Sequence, residues 1–519
     1  MTSVLPAPAA RRDSERTSAR GSGGAPTHGS RAPASVTTYL LVLLVGAVAF
    51  FAFLGRASLS LDETVSATLA KSTWRQFAHT VTHREANMVL YYAVLRVWAH
   101  LGHSEAVLRS VSVIASLAAL ALVVALASDL FGRRVALVCG LLLAVDPIVV
   151  QFAQEARGYA LSLLLVTGSS LLFARAMKPG SGRSVWVGYV ALSALAAYTN
   201  FWAALVPLGH AASLGLVDPG RVRWRRVVVS ALGLAVLLVP LGLLIRSTDS
   251  SGVNWAAGST GGRLFTKVRG VVPHPVIDLA VALAVIVVLV LLVRLRRSPR
   301  ASQLFEKWPV LFVLCWLLVP PAAVVALSLV YKPLIVVRYL LVCIPPVAIL
   351  VAMGLVRLGR RLLTAGLVLL VAVSGVGLWA FYDHGTTEDW RGAVSYVAAN
   401  ARPGDGVIVF APYMRIPFEW YLPRHPSLER SARPILPTGG WGVDPLRFDS
   451  YIPVNEAAVS KDASGYHRVW LVLCQWTLYP SEYQELLAAL RSDHFAAARS
   501  RSFAGIQVVG YATSAVSTQ

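Results

Sequence analysis

Four clusters of polar residues stand out in a chain that is otherwise strongly apolar. The first is the acid pair Asp62 and Glu63. Adjacent carboxylates at a membrane mouth could supply a general base or a ligand for a divalent metal such as Mg, Mn or Ca. The same segment, Ser60-Leu61-Asp62-Glu63, also spells a capping box that would open a helix. Both readings can hold together, with Glu63 capping and Asp62 free to act. The second cluster, His83-Arg84-Glu85-Ala86-Asn87, runs into Tyr91-Tyr92 and then Leu95-Arg96-Val97-Trp98. This pattern predicts an amphipathic helix in a membrane interface, with its aromatic rings at headgroup level. His83, Glu85, Asn87, Tyr91 and Tyr92 are its candidate substrate contacts; pure anchoring is the plain alternative.

The third cluster is a tight turn, Gln154-Glu155-Ala156-Arg157-Gly158-Tyr159. Glu155 offers another acid and Arg157 a phosphate-binding cation, although the two could equally form a local pair that contributes little. Close by, Asp146-Pro147 puts an acid inside an apolar run, either for function or to bond backbone freed by the proline. The fourth cluster is Tyr331-Lys332-Pro333 with Val337-Arg338-Tyr339. Lys332, Arg338 and Tyr339 could receive a phosphate, for which the arginine fork is suited, or the cations could simply snorkel. Taken together, acids and phosphate-type cations gather at one depth, which reads as a site rather than a pathway.

The elements that must position these groups are membrane helices. Of 519 residues, 56% are apolar and 14% charged, with a mean hydropathy of +0.62. Soluble domains average about 45–50% apolar and about 25% charged, so a single water-soluble core is excluded. The net charge of +21 fits Lys and Arg retained on a cytoplasmic face better than a nucleic-acid partner. Cys139, Cys315, Cys343 and Cys474 show neither disulfide nor metal spacing. Residues 1–35, rich in Arg, Ser, Gly, Ala and Pro, read as a disordered cytoplasmic tail.

About eleven spans are expected in 36–382, at 37–54, 107–127, 135–151, 158–176, 185–198, 201–216, 227–245, 276–294, 309–330, 339–356 and 362–381. Every second connection is basic, which places the N-terminus in the cytoplasm of a multi-pass cell-membrane protein. The large loop 55–106, the turn 152–157 and everything after about 383 then lie outside. Segment 383–519 alternates helical and strand-like runs: a helix opened by Thr387-Glu388-Asp389-Trp390, β-runs at 407–410 and 469–473, a helix at 481–492, and a last strand-like pair through 507–509. A small extracytoplasmic α/β domain is expected there.

With these blocks in place, the sequence resembles the polytopic glycosyltransferases of the GT-C superfamily, in the family-39-like branch with protein O-mannosyltransferases and the aminoarabinose transferases that modify lipid A. The blocks are Leu61-Asp62-Glu63; Asn87 to Trp98 with Leu101-Gly102, Ser104-Glu105 and Leu108-Arg109; Phe131-Gly132-Arg133-Arg134 with Gln154 to Leu161; Val337 to Leu340 with Pro345; and Asp389-Trp390-Arg391 with Tyr396. Where many relatives carry a His-Pro-Pro type sequence, this chain has Asn87-Met88-Val89. The resemblance implies a sugar donor on a polyprenyl phosphate and inverting transfer to a hydroxyl of a lipid, glycan or protein acceptor. It makes Asp62 the general base, with Glu63 or Glu155 positioning acceptor or metal; Asp62 and Glu155 are the candidate ligands of any such ion. Arg338, Arg157 or Lys332 would stabilise the leaving phosphate. Two other classes compete. A transporter or flippase predicts midplane polar groups and inverted repeats. A non-catalytic scaffold could bind a wall glycan through Phe418, Trp420 and Tyr421.

Overall fold

The structure is a computed structural model that describes residues 34–215, 222–247, 304–330, 337–384, 388–436, 440–442 and 456–513. The expected tail, the expected span at 276–294 and Lys332 lie outside the described residues.

The chain opens with α1 (Val36–Phe51). Three short helices follow, α2 (Leu61–Lys71), α3 (Trp74–His83) and α4 (Val89–Trp98). Next come α5 (Glu105–Phe131), α6 (Arg133–Ala144), α7 (Pro147–Ala153), α8 (Tyr159–Ala176), α9 (Arg183–Thr199) and α10 (Val206–Leu214). The helical part ends with α11 (Trp224–Ser247), α12 (Leu304–Val330), α13 (Ile344–Arg357) and α14 (Arg360–His384).

Among the described residues six helices are long and apolar enough to cross a membrane, or seven if α6 and α7, bent by 63°, form one broken span. These seven coincide with seven of the eleven expected spans. Three others, at 37–54, 185–198 and 201–216, fall on shorter helices: α1 has 16 residues, α9 has 17 and α10 has 9. The α11 and α14 spans bury only 11% and 6% of their apolar windows, so Val228, Leu232, Val236, Val368 and Val371 are left for lipid. The protein is a multi-pass membrane protein.

Local chemistry sets the breaks. Asp146 stops α6 and starts α7: its Oδ1 accepts from the Ile148 and Val149 amides at 2.9 and 3.0 Å, while Pro147 fills the first helical position. The in-membrane acid is therefore a helix cap. Gln154 caps the other way, donating its side-chain amide to the Ala49, Phe50 and Ala52 carbonyls that α1 leaves unpaired. Where α1, α5 and α6 cross, Gly140 is required for packing, since a Cβ there would meet Val124 at 2.8 Å and Val42 at 2.9 Å.

Helices α2 to α4 build a small core with α5 around Leu59, Leu69, Tyr91, Tyr92 and Leu95. On it docks a five-stranded sheet with order β2-β1-β3-β5-β4. The strands are β1 (Asp405–Phe410), β2 (Ala432–Leu436), β3 (Arg468–Cys474), β4 (Phe495–Phe503) and β5 (Ile506–Thr513). Strands β2, β1 and β3 are parallel, and the β4–β5 hairpin closes antiparallel on β3. Helices α15 (Trp390–Asn400) and α16 (Arg415–Tyr421) cover one face; α17 (Glu456–Ala463) and α18 (Pro480–Ser492) cover the other. Both faces of β1 and β3 are buried, which explains their unbroken apolar runs.

Polar threads join the two parts. The Ser58 hydroxyl donates to the Glu388 carbonyl at 2.7 Å, and the Leu61 amide donates to the Glu388 carboxylate at 2.9 Å. The Leu59 amide donates to the Tyr421 hydroxyl at 2.7 Å, which donates onward to Glu105 at 3.1 Å. Arg391 and Arg424 complete the cluster on Glu105, at 2.9 and 3.1 Å.

Candidate functional site

The site is built on the first turn of α2. Ser60 and Glu63 cap each other reciprocally, as their spacing requires. Behind them Arg109, buried on α5, holds Glu63 through both oxygens at 2.7 and 2.8 Å. Its remaining donors reach the Leu54, Ala57 and Ser58 carbonyls, so one guanidinium gathers the loop that leads into α2. The Ala156 amide also donates to Glu63, at 2.9 Å. Burial acts to raise the Glu63 carboxyl, but Arg109 outweighs it and keeps it ionised. Glu63 is thus a fastener with both oxygens occupied.

One residue earlier the environment reverses. The Asp62 side chain is 36% exposed, with Arg338 Nη1 at 2.7 Å from one oxygen and Arg157 Nη2 at 4.0 Å from the other. Burial works to raise its carboxyl, yet the Arg157 and Arg338 guanidiniums prevail and hold it below the usual aspartate range. Arg157 is buried and donates to the Tyr92 hydroxyl at 3.1 Å and to the Asp62 carbonyl at 3.3 Å. Its Nε–H has no hydrogen-bond partner among the described residues. Gly158 lets the turn carrying Arg157 press against α4, because a Cβ there would stand 3.1–3.2 Å from Thr199, Met88 and Tyr91.

Two more acids face this group. Glu155 is pushed up to about 8, first by burial and then by Glu63 and Asp62, against the pull of Arg157 and Arg338. Glu85 is also raised, by burial first, with Asp62 adding to it and the two arginines opposing. The centre therefore combines a half-open Asp62 held below the usual aspartate range, two guanidiniums and a carboxyl, Glu155, pushed up to about 8.

Of the other expected contacts, Tyr92 meets Arg157 directly, while Tyr91 stands one step back, 3.3 Å from Ser112. Asn87 accepts from the Phe201 amide at 3.3 Å and so ties the start of α4 to the turn before α10. His83 is exposed, stacked on His79 with ring centres 4.7 Å apart, and its described contacts do not include the cluster. Tyr339 follows Arg338 in the 3-10 turn Val337–Cys343. Sequence reasoning gave Arg109 no role. Its signal was available: an arginine early in a long apolar helix requires a partner.

Residues 86–245 match the family model described as dolichyl-phosphate-mannose-protein mannosyltransferase. No curated protein matches the chain. Among solved structures the chain is similar to ArnT from Cupriavidus metallidurans bound to undecaprenyl phosphate, at 16% identity and TM-score 0.58, covering 93% of this chain and 100% of that one. It is also similar to the Archaeoglobus fulgidus oligosaccharyltransferase in complex with Zn and sulfate, at 13% identity and TM-score 0.50, covering 92% and 73%. The chain has the GT-C fold. In this chain the acid pair, the turn with Glu155 and Arg157, and Arg338 are brought to one place from residues 62 to 338.

The archaeal neighbour was solved with Zn, which makes the metal expectation testable on side chains. Among the described residues no group of three or more His, Cys, Asp or Glu could hold an ion. Asp62 is engaged by two guanidiniums and Glu63 by Arg109. An ion here would have to take Asp62 from its arginines, and Asp62 and Glu155 alone supply fewer than three protein ligands.

Proposed function

We propose that the protein transfers a sugar from a polyprenyl-phosphate donor to an acceptor hydroxyl, with inversion at the anomeric carbon and Asp62 as general base. The observation that carries this reading is the ionised, half-open Asp62 set between Arg338 and Arg157 on a GT-C fold. A lipid phosphate bearing the sugar would displace Asp62 as the partner of Arg338 and reach the unmatched Arg157 Nε–H. Asp62, released towards the acceptor, takes the hydroxyl proton as the acceptor oxygen bonds to the anomeric carbon. The bond from that carbon to the phosphate oxygen breaks, and polyprenyl phosphate leaves with the electron pair. The arginines stabilise the charge that develops there. Glu155, neutral near pH 7, adds no repulsion and offers a proton for hydrogen bonding.

The site faces outward in this reading, with the N-terminus in the cytoplasm and the sheet domain outside. The sugar is a hexose or pentose, mannose being the one in the family description. Purified protein in nanodiscs, offered a panel of radiolabelled polyprenyl-phosphate sugars, tests the proposal. Binding or slow hydrolysis of one donor, lost on changing Asp62 or Arg338, supports it. Silence across the panel from folded protein refutes it.

A further inference from the structure

A cavity of about 500 Å³ opens in the sheet domain, lined by Glu388, Gln475, Trp476, Thr477, Phe503 and Gln507 among others. It lies beyond the C-terminal end of parallel β3, where Cys474 pairs with Ile506 of antiparallel β5. Crevices at such strand ends are where open α/β sheets take ligands, and the volume falls within the roughly 300–1,000 Å³ of small-molecule sites.

The lining specifies the ligand class. Of the described lining residues Glu388 is the one charged group, while Arg501 packs over the Phe503 ring, 5.4 Å from its centre. The lining itself contributes a carboxylate and no cation, which favours a neutral ligand over a negative one. Two side-chain amides and two hydroxyls, from Gln475, Gln507, Thr477 and Ser502, offer both donors and acceptors. Trp476 and Phe503 add aromatic surface, and the Trp476 ring is braced by Tyr483 at 4.9 Å. Hydrogen-bonding groups of both signs beside ring faces suit a neutral polyhydroxylated ring, with C–H faces on the aromatics and hydroxyls on the amides. Gln475, held in a left-handed conformation at φ 53°, donates to Glu388 at 3.2 Å. The other Glu388 oxygen accepts from the Leu61 amide at 2.9 Å, next to Asp62.

We infer that this cavity binds a neutral saccharide unit of the acceptor, which rests on the transferase reading above and narrows its acceptor to a glycan. Glu388 then links the occupied cavity to the first turn of α2.

The test is a titration of the full chain in nanodiscs with mannotriose, cellotriose and maltotriose, followed by saturation-transfer NMR, beside a separate titration with undecaprenyl phosphate. At least one trisaccharide should bind, and Trp476→Ala and Gln507→Ala should each weaken it roughly tenfold. Undecaprenyl phosphate binding should be unchanged in both variants, which also reports that they are folded. Two outcomes overturn the inference while leaving the donor reading intact: no trisaccharide binds to protein that binds undecaprenyl phosphate, or saccharide binding is indifferent to both substitutions. Saccharide binding without any binding of undecaprenyl phosphate would instead count against the transferase reading, leaving a saccharide site with no acceptor role.

Discussion

Arg109 grips Glu63 by both carboxylate oxygens, at 2.7 and 2.8 Å, in a setting where each side chain is almost fully buried. Removing one partner strands the other as an uncompensated charge. Arg109→Ala should therefore cost roughly 3–5 kcal/mol, read as a lowered unfolding midpoint in detergent. Replacing both, as Arg109→Met with Glu63→Leu, should recover much of that loss. A double variant no more stable than the single one would mean that the carbonyls of Leu54, Ala57 and Ser58, rather than the pair, are what Arg109 chiefly serves.

Asp62→Asn keeps the shape and removes the proposed base. Transfer should fall by roughly 10²–10⁴-fold, while membrane insertion and the unfolding midpoint stay near wild type. Turnover at the wild-type rate would remove Asp62 from the chemistry.

Arg338→Ala removes a charge-assisted contact, a kind worth about 1.5–3 kcal/mol, so undecaprenyl phosphate should bind roughly ten- to a hundredfold more weakly. Arg338→Lys should recover part of the loss through charge alone. Unchanged affinity in Arg338→Ala would undo the phosphate assignment.

The pH profile follows from two carboxyls displaced in opposite directions. Asp62 is held below its ordinary range, so it stays ionised through neutral pH and sets no limit there. Glu155 is neutral below about 8 and gains a negative charge above it, beside the donor phosphate. Activity should therefore decline as pH rises through that value. Glu155→Gln cannot ionise, and its rate should hold on the alkaline side where wild type declines; an identical alkaline limb in both would assign the decline to another group.

Much of this architecture was legible because local rules and global packing agreed. Ser60 and Glu63 spell a capping box and form one; Asp389 was read at the mouth of a helix and caps α15 at the Gly392 amide. What escaped did so for physical reasons. Strand β4 is exposed along almost its whole length, so no apolar alternation announces it, and β2 carries Pro434, tolerated because the strand lies at the sheet edge beside a bulge. Of the four expected spans without a helix long and apolar enough to cross, three fall on short helices and one lies outside the described residues, because a run of apolar residues does not report the length of its helix. Arg109 looks like any isolated cation on an apolar helix until the loop it gathers has been folded around it.

The donors of Ser58, Leu59 and Leu61 are answered by Glu388 and Tyr421, more than three hundred residues along the chain. Cutting after α14 would leave those groups facing water or nothing, just where α2 begins. The membrane helices thus do not constitute a self-sufficient unit that could be excised and studied alone. The loop that presents Asp62 and the sheet above it should melt together, as a single cooperative piece.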